Sequence, residues 1–210
     1  MRCRFALSVV GGIVLAFGQA AAQAKDFNKL LEGEYIVTGS SSCINGGNGF
    51  NANLSPNSPS PGHPVFVQMF NIQGARTFNG DGTGSSAGRN ISIQAPNFTP
   101  QFSPTQPAIF FPGGAGASEF TGSFTYEVHP DLTITIVQGP LNGMNTAGGS
   151  AGQPFSVTGI PVFEGRISED LQTVNIAHVV PGIEVFSQGG VNRDRICYRE
   201  RTLTRVKRGG

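Results

Sequence analysis

The sequence predicts an all-β protein, a single eight-stranded antiparallel up-and-down β-barrel with a short N-terminal helix. Three observations lead there. Thirty glycines and fourteen prolines in 210 residues interrupt every long helical pattern, while Val, Ile, Thr, Phe and Tyr fill the gaps between them. Apolar and polar residues alternate with period two on both sides of short turns. Cys43 and Cys197, the only cysteines apart from Cys3, stand near opposite ends of the strand-forming region.

Arg2 and Arg4 precede an apolar run from Phe5 to Phe17 and a small-residue stretch ending Ala22-Gln23-Ala24. This is the pattern of a secretory signal peptide over residues 1–24, cut before Lys25. The run is shorter than the roughly 20 residues that span a bilayer, so no transmembrane segment is expected after cleavage. Residues 25–210 are then expected to form one domain of a periplasmic or secreted protein. Without Arg2 and Arg4 that domain is close to neutral, and only 13% of the chain is charged. Such a balance offers no basic stripe to a phosphate backbone, so nucleic acid is not expected as a partner.

The helical piece lies in "KDFNKLLEGE", where Phe27, Leu30 and Leu31 share one side before Gly33 ends it. Strands are expected near 34–44, 64–73, 75–79, 84–95, 118–128, 131–138, 155–167, 171–180, 183–187 and 194–206, eight of them substantial. The clearest pair is "EFTGSFTYEVHPDLTITIVQG". Phe120, Phe124, Tyr126 and Val128 alternate with polar residues, and Leu132, Ile134 and Ile136 do so again after a Pro-Asp turn. Phe163 to Ile167 and Val174 to Ile176 repeat the plan around Ser168-Glu169-Asp170. Gly80-Asp81-Gly82 marks another tight turn. Residues 45–64, 95–117 and 139–154 are rich in Gly, Pro, Asn and Ser and are expected to be loops.

Eight consecutive antiparallel strands with one apolar face leave two open edges unless the sheet closes on itself. Closure puts the first strand beside the last, where Cys43 and Cys197 fall. A disulfide between them would staple the seam, and with a loop of about 150 residues it could contribute roughly 5 kcal/mol on a chain-entropy account. Neither cysteine has a second Cys or a His close by in sequence, which disfavours a metal or redox pair.

The chain resembles the calycin group, the lipocalins and their relatives. The resemblance rests on the N-terminal helical turn, on Gly33-Glu34-Tyr35 where a lipocalin carries Gly-x-Trp, on the eight-strand meander, and on Arg199, Arg201 and Arg205 in the last strand. It implies an eight-stranded barrel, an arginine stacked on the first-strand aromatic, and a small apolar ligand held inside. Allene oxide cyclase and dirigent-type barrels share the same gross plan.

No catalytic residue can be named. His63, His129 and His178 lack metal-ligand spacing, no serine sits in a G-x-S-x-G elbow, and "GDGTG" is not followed by a helix. No metal or cofactor is expected. Glu164, Arg166 and Glu200 are read as outer-face residues; were that face the interior, Arg166 with Glu200 would be a polar anchor for a ligand carboxylate or hydroxyl. Phenylalanine is the more informative signal. Phe66, Phe70, Phe120, Phe124, Phe155 and Phe163 fall on inward positions, and Phe98, Phe102, Phe110 and Phe111 crowd the loop 95–117.

The candidate ligand-binding residues are therefore Phe66, Phe70, Phe110, Phe111, Phe124 and Tyr126, with the loop phenylalanines as an aromatic lid. The expected function is non-catalytic binding of a small apolar ligand. The alternatives are an envelope-associated interaction protein with a filled barrel, and a motif-poor cyclase or isomerase. An interior cavity of about 300 Å³ or more separates hollow from filled. If the seam is stapled, thiol labelling of the exported protein, unfolded without reductant, finds no free sulfhydryl; label on Cys43 or Cys197 refutes the pairing.

Overall fold

The computed structural model describes residues 26–60, 63–99, 109–111 and 113–206, so the expected signal peptide lies outside the described residues. A 3₁₀ helix, Phe27–Leu31, is followed by twelve strands: β1 Gly33–Gly46, β2 Val65–Phe78, β3 Thr83–Gln94, β4 Asn97–Thr99, β5 Ile109–Phe111, β6 Gly114–Val128, β7 Thr133–Ala147, β8 Pro154–Thr158, β9 Phe163–Ile167, β10 Thr173–His178, β11 Ile183–Gln188 and β12 Val191–Arg205. All but β4 and β5 join one antiparallel sheet, and the pairing of β1 with β12 closes it into a ring.

Ten strands make eight staves because two staves are broken. β7 pairs with β9 through its first half and with β8 through its second. β12 likewise pairs with β11 and then with β10. The breaks, 159–162 and 179–182, each carry a proline, Pro161 and Pro181, which cannot donate to a ladder. The expected continuous strand 155–167 is thus two collinear strands.

The two expected loops flanking β6 and β7 are partly strand. β6 begins at Gly114 and β7 runs on to Ala147. Their Gly, Ala and Asn residues have little intrinsic strand preference, but each segment lies beside a long neighbour that holds its backbone in register. Pro140 is tolerated because the β6–β7 register shifts between Gly122 and Phe124, so that Gly139 and Pro140 stand opposite the single residue Ser123. Gly74 does not interrupt β2, which pairs without a break along β1 and β3.

Alternation along the strands sorts the side chains. Tyr35, Phe78, Phe124, Tyr126, Ile134, Ile136, Phe163, Val174, Ile176 and Leu203 fill one end of the barrel as its core. Phe78 sits at the centre, edge-on to Tyr35, Phe124 and Tyr126 at centroid distances of 5.2, 5.1 and 4.8 Å. The 3₁₀ helix plugs this end. Asp26 caps it by accepting from Asn28 N, Asn28 Oδ1 accepts from Val128 N, Tyr126 Oη donates to Asn28 O, and Leu31 is fully buried. Arg205 closes the joint: its guanidinium lies 5.6 Å from the Tyr35 ring centroid and donates to the carbonyls of Leu30 and Glu32.

Three hairpin turns at the same end share one device. Asp81, Asp131 and Asp170 each accept a hydrogen bond from the backbone N–H two residues on, at Thr83, Thr133 and Gln172. In the first turn Gly82 has φ +88°, and an added Cβ would stand 3.2 Å from Tyr126 O. Gly82→Val is therefore expected to lower stability by on the order of 2 kcal/mol, and Glu169→Ala, in an exposed turn, by less than about 0.5 kcal/mol. Chemical denaturation of the two variants checks this; equal losses would mean that the turn conformation is not what constrains the first site.

Candidate functional site

Toward the other end the inward positions stop packing against each other. They enclose a cavity of about 380 Å³. One wall is made of small side chains from β3 and β6, among them Ser86, Ala115 and Ala117, and the opposite wall carries arginines from β12. Phenylalanine rings lie against the walls instead of filling the centre. Phe120 is the cross-strand partner of Gly88, and Phe155 of Gly143. A Cβ at those glycines would come within 2.9 Å of the Phe120 ring and 2.4 Å of the Phe155 ring. The missing side chains are what let the rings lie flat.

The seam between β1 and β12 supplies the charged wall. Cys43 and Cys197 are direct cross-strand partners, both buried, and are joined in a disulfide. Adjacent residues in a strand face opposite ways, so the residues two and four away from Cys197 share its inward face. Those residues are Arg193, Arg195, Arg199 and Arg201, and Arg76 reaches the same interior from β2; all five line the cavity, Arg193 at its exposed rim and the other four only 6% exposed.

Glu184, on β11, is the one buried carboxylate among the described residues and is completely enclosed. Its Oε1 accepts from Arg195 Nε and Arg199 Nη2, both at 2.5 Å. Burial alone would raise its pKa; the two guanidiniums outweigh that and hold it below the ordinary carboxylate range. Oε1 is also 2.9 Å from the Cys197 sulfur. Glu184, Cys43 and Cys197 thus form a compact group of metal-ligand types, but the sulfurs are bonded to each other and do not act as thiolates.

The other two buried arginines have no carboxylate. Arg76 donates through Nη2 to the Gln138 side chain and lies 5.0 Å from the Phe124 ring and 5.6 Å from the Phe163 ring. Burial lowers its pKa to about 10. Arg201 donates to the Ser40 and Glu200 carbonyls and to Ser41 Oγ. Burial first, then the neighbouring charges of Arg199 and Arg76, bring it to about 9. Nη1 of Arg76 and Nη1 of Arg199 are buried without a hydrogen-bond partner.

Of the residues singled out from sequence, Phe66 and Phe70 line the cavity. Phe124 and Tyr126 belong to the packed core beneath it, Phe124 as a support for Arg76 and Tyr126 as an anchor for the 3₁₀ helix. Phe110 and Phe111 lie on β5, which pairs with β4 as a separate two-stranded hairpin; the lid expected of their side chains, and Phe102, lie outside the described residues. Glu164, Arg166 and Glu200 are exposed on the outer face.

The inward arginines were not anticipated as a site. A signal for them existed, because an interior Cys197 obliges every second residue of "RICYRERTL" to face inward as well. No protein-family model matches the chain, and no curated protein matches it.

His178, beside this wall, gives a pH test. Its ring packs 4.2 Å from Phe163, Nδ1–H donates to the Cys197 carbonyl at 3.0 Å, and burial, the largest influence, lowers its pKa to about 4. An unfolded histidine takes up its proton near pH 6.5, whereas the folded one does so only near pH 4. The unfolded state therefore binds more protons in that window, and stability falls as pH drops through it. The loss should be on the order of 3 kcal/mol, at about 1.4 kcal/mol for each of the roughly 2.5 pH units between the two values. His178→Asn should remove most of this slope, as measured by thermal unfolding at a series of pH values; an unchanged slope would show that the titration belongs elsewhere.

Proposed function

We propose that this chain is a non-catalytic binding protein that takes a small molecule into the open end of the barrel. The 380 Å³ cavity is the observation that carries the reading. It falls within the range of small-ligand sites, and aromatic rings together with a few polar groups line it. The glycines beneath Phe120 and Phe155 keep it open, since fuller side chains there would drive the rings inward. Glu184, tied to two arginines and held ionised, is poorly suited to proton transfer and serves as their counter-charge.

The likeness to lipocalins belongs to this reading. Its supports are the ring of eight staves, the helix plugging one end, and Arg205 stacked on Tyr35. A periplasmic or secreted location also belongs to it, since the buried disulfide suits an oxidising compartment. Among the described residues no helix is long and apolar enough to cross a membrane.

A second reading, an interaction protein, is favoured by one feature of the outer face. Ile44, Val67, Met69, Ile91 and Ile93 are exposed on neighbouring strands, with Ile44 paired to Val67 and Met69 to Ile93.

Uptake of the neutral fluorescent probe N-phenyl-1-naphthylamine decides between the two. The native protein should enhance its emission. Asn90→Trp, which places a large ring in the cavity, should weaken binding at least about tenfold, while Arg89→Trp on the outward face of the same strand should leave it unchanged. Absence of any uptake by the native protein overturns the binding reading in favour of the interaction one.

A further inference from the structure

We infer that the ligand is a small organic anion with at least two negative charges, its charged head held among Arg76, Arg199 and Arg201 and its apolar body lying toward the mouth. The inference rests on the binding reading above and adds the chemical class of what is bound.

The argument begins with an imbalance. Four arginines are buried inside a barrel that encloses one carboxylate, although the chain as a whole is close to neutral. Burying an unpaired ion is among the costliest things a fold can do, and the usual remedies are a partner or loss of the charge. Arginine does not lose its charge near neutral pH, even at the lowered values of Arg76 and Arg201. Partners are therefore needed, and the described residues supply too few.

The deficit is local. Arg195 and Arg199 share the single oxygen Glu184 Oε1, and Arg195 is further occupied by the Phe70 and Phe186 rings at 5.6 and 5.0 Å. Arg76 and Arg201 bond only to neutral acceptors. Nη1 of Arg76 and of Arg199 has no acceptor. Arg199 and Arg76 are close enough to Arg201 for their charges to lower its pKa. Three guanidiniums that repel one another around a cavity make a site for an anion with several acceptor oxygens, and one negative charge would leave the cluster unbalanced.

The rest of the lining defines the body attached to that head. Phe70, Phe120 and Phe155, with Leu141 and Val157, offer ring faces and methyl groups, and the small Ser, Ala and Gly residues of β3 and β6 leave room for a flat group. A free inorganic anion would use none of these. A neutral apolar molecule would leave the arginines as they are. An aryl phosphate or a compact dicarboxylate with an apolar ring satisfies both halves.

The test is a calorimetric titration of the native protein at low salt and pH 8 with 1-naphthol, 1-naphthoate and 1-naphthyl phosphate, which share a ring and carry zero, one and two negative charges. Affinity should rise in that order, with naphthyl phosphate at least about tenfold tighter than naphthol and its advantage shrinking as salt is added. Arg76→Met and Arg201→Met should bring the three within about threefold of each other, and Arg166→Met on the outer face should change nothing. Should these variants fail to fold, the ligand series on the native protein decides alone.

Equal affinity for naphthol and naphthyl phosphate overturns the anion inference and leaves the binding function standing. Competition by inorganic phosphate as effective as that of naphthyl phosphate overturns the organic body. Failure of the neutral probe to bind, which overturns the binding reading, removes this inference with it.

Discussion

Closure of the sheet at the β1–β12 seam is the constraint on which the rest of this structure depends. Cys43 and Cys197 bond across it, which requires both to face the same side of the sheet, and that side is the interior. Because side chains alternate along a strand, that one orientation fixes the facing of all fifteen residues of β12. It turns Leu203 into the core, sends Arg195, Arg199 and Arg201 into the cavity, and leaves Tyr198 and Glu200 outside. A slip of one residue would expose the arginines to water, where each is cheap, and bury a glutamate instead. The disulfide opposes that slip. In this sense the staple is less a stabiliser of a core than a means of holding unfavourable residues where they are.

The two ends of the barrel divide the energetic labour. At the closed end, aromatic and β-branched side chains pack around Phe78 and the 3₁₀ helix seals them from water, so apolar burial supplies the stability there. At the open end, glycine, serine and alanine replace large residues, the phenylalanines lie flat on glycines, and guanidinium groups occupy the space between. That end yields little burial and carries the cost of charge. A barrel solid throughout would have been the more stable solution, and the departure from it is concentrated in one volume.

Glu184 shows how closely the arrangement is balanced. One of its oxygens, Oε1, holds two arginines and the other is buried without a hydrogen-bond partner, so the carboxylate keeps part of the cluster tolerable without neutralising it. Arg76 is placed by other means, between the rings of Phe124 and Phe163 and on the amide of Gln138. Orientation is thus supplied to the cations while charge compensation is left incomplete. A site built for an anion needs both conditions at once.

Much of this was legible in the sequence because it rests on local rules. Period-two alternation located the strands, glycine and aspartate located the turns, and the inward positions of Phe66, Phe70, Phe120, Phe124, Phe155 and Phe163 followed from parity alone. The pairing of Cys43 with Cys197 followed from closure and from there being no competing thiol in the domain. Tertiary structure decided what local pattern cannot express. Gly114–Ala117 and Gly139–Ala147 are strand only because long neighbours hold them, and Pro161 breaks a stave that the apolar pattern carries straight through. Above all, arginines alternating with polar residues on β12 look the same in sequence whether they face solvent or a cavity. The register that tells the two apart is fixed from outside the strand, by a cysteine 154 residues away whose side of the sheet the tertiary structure decides.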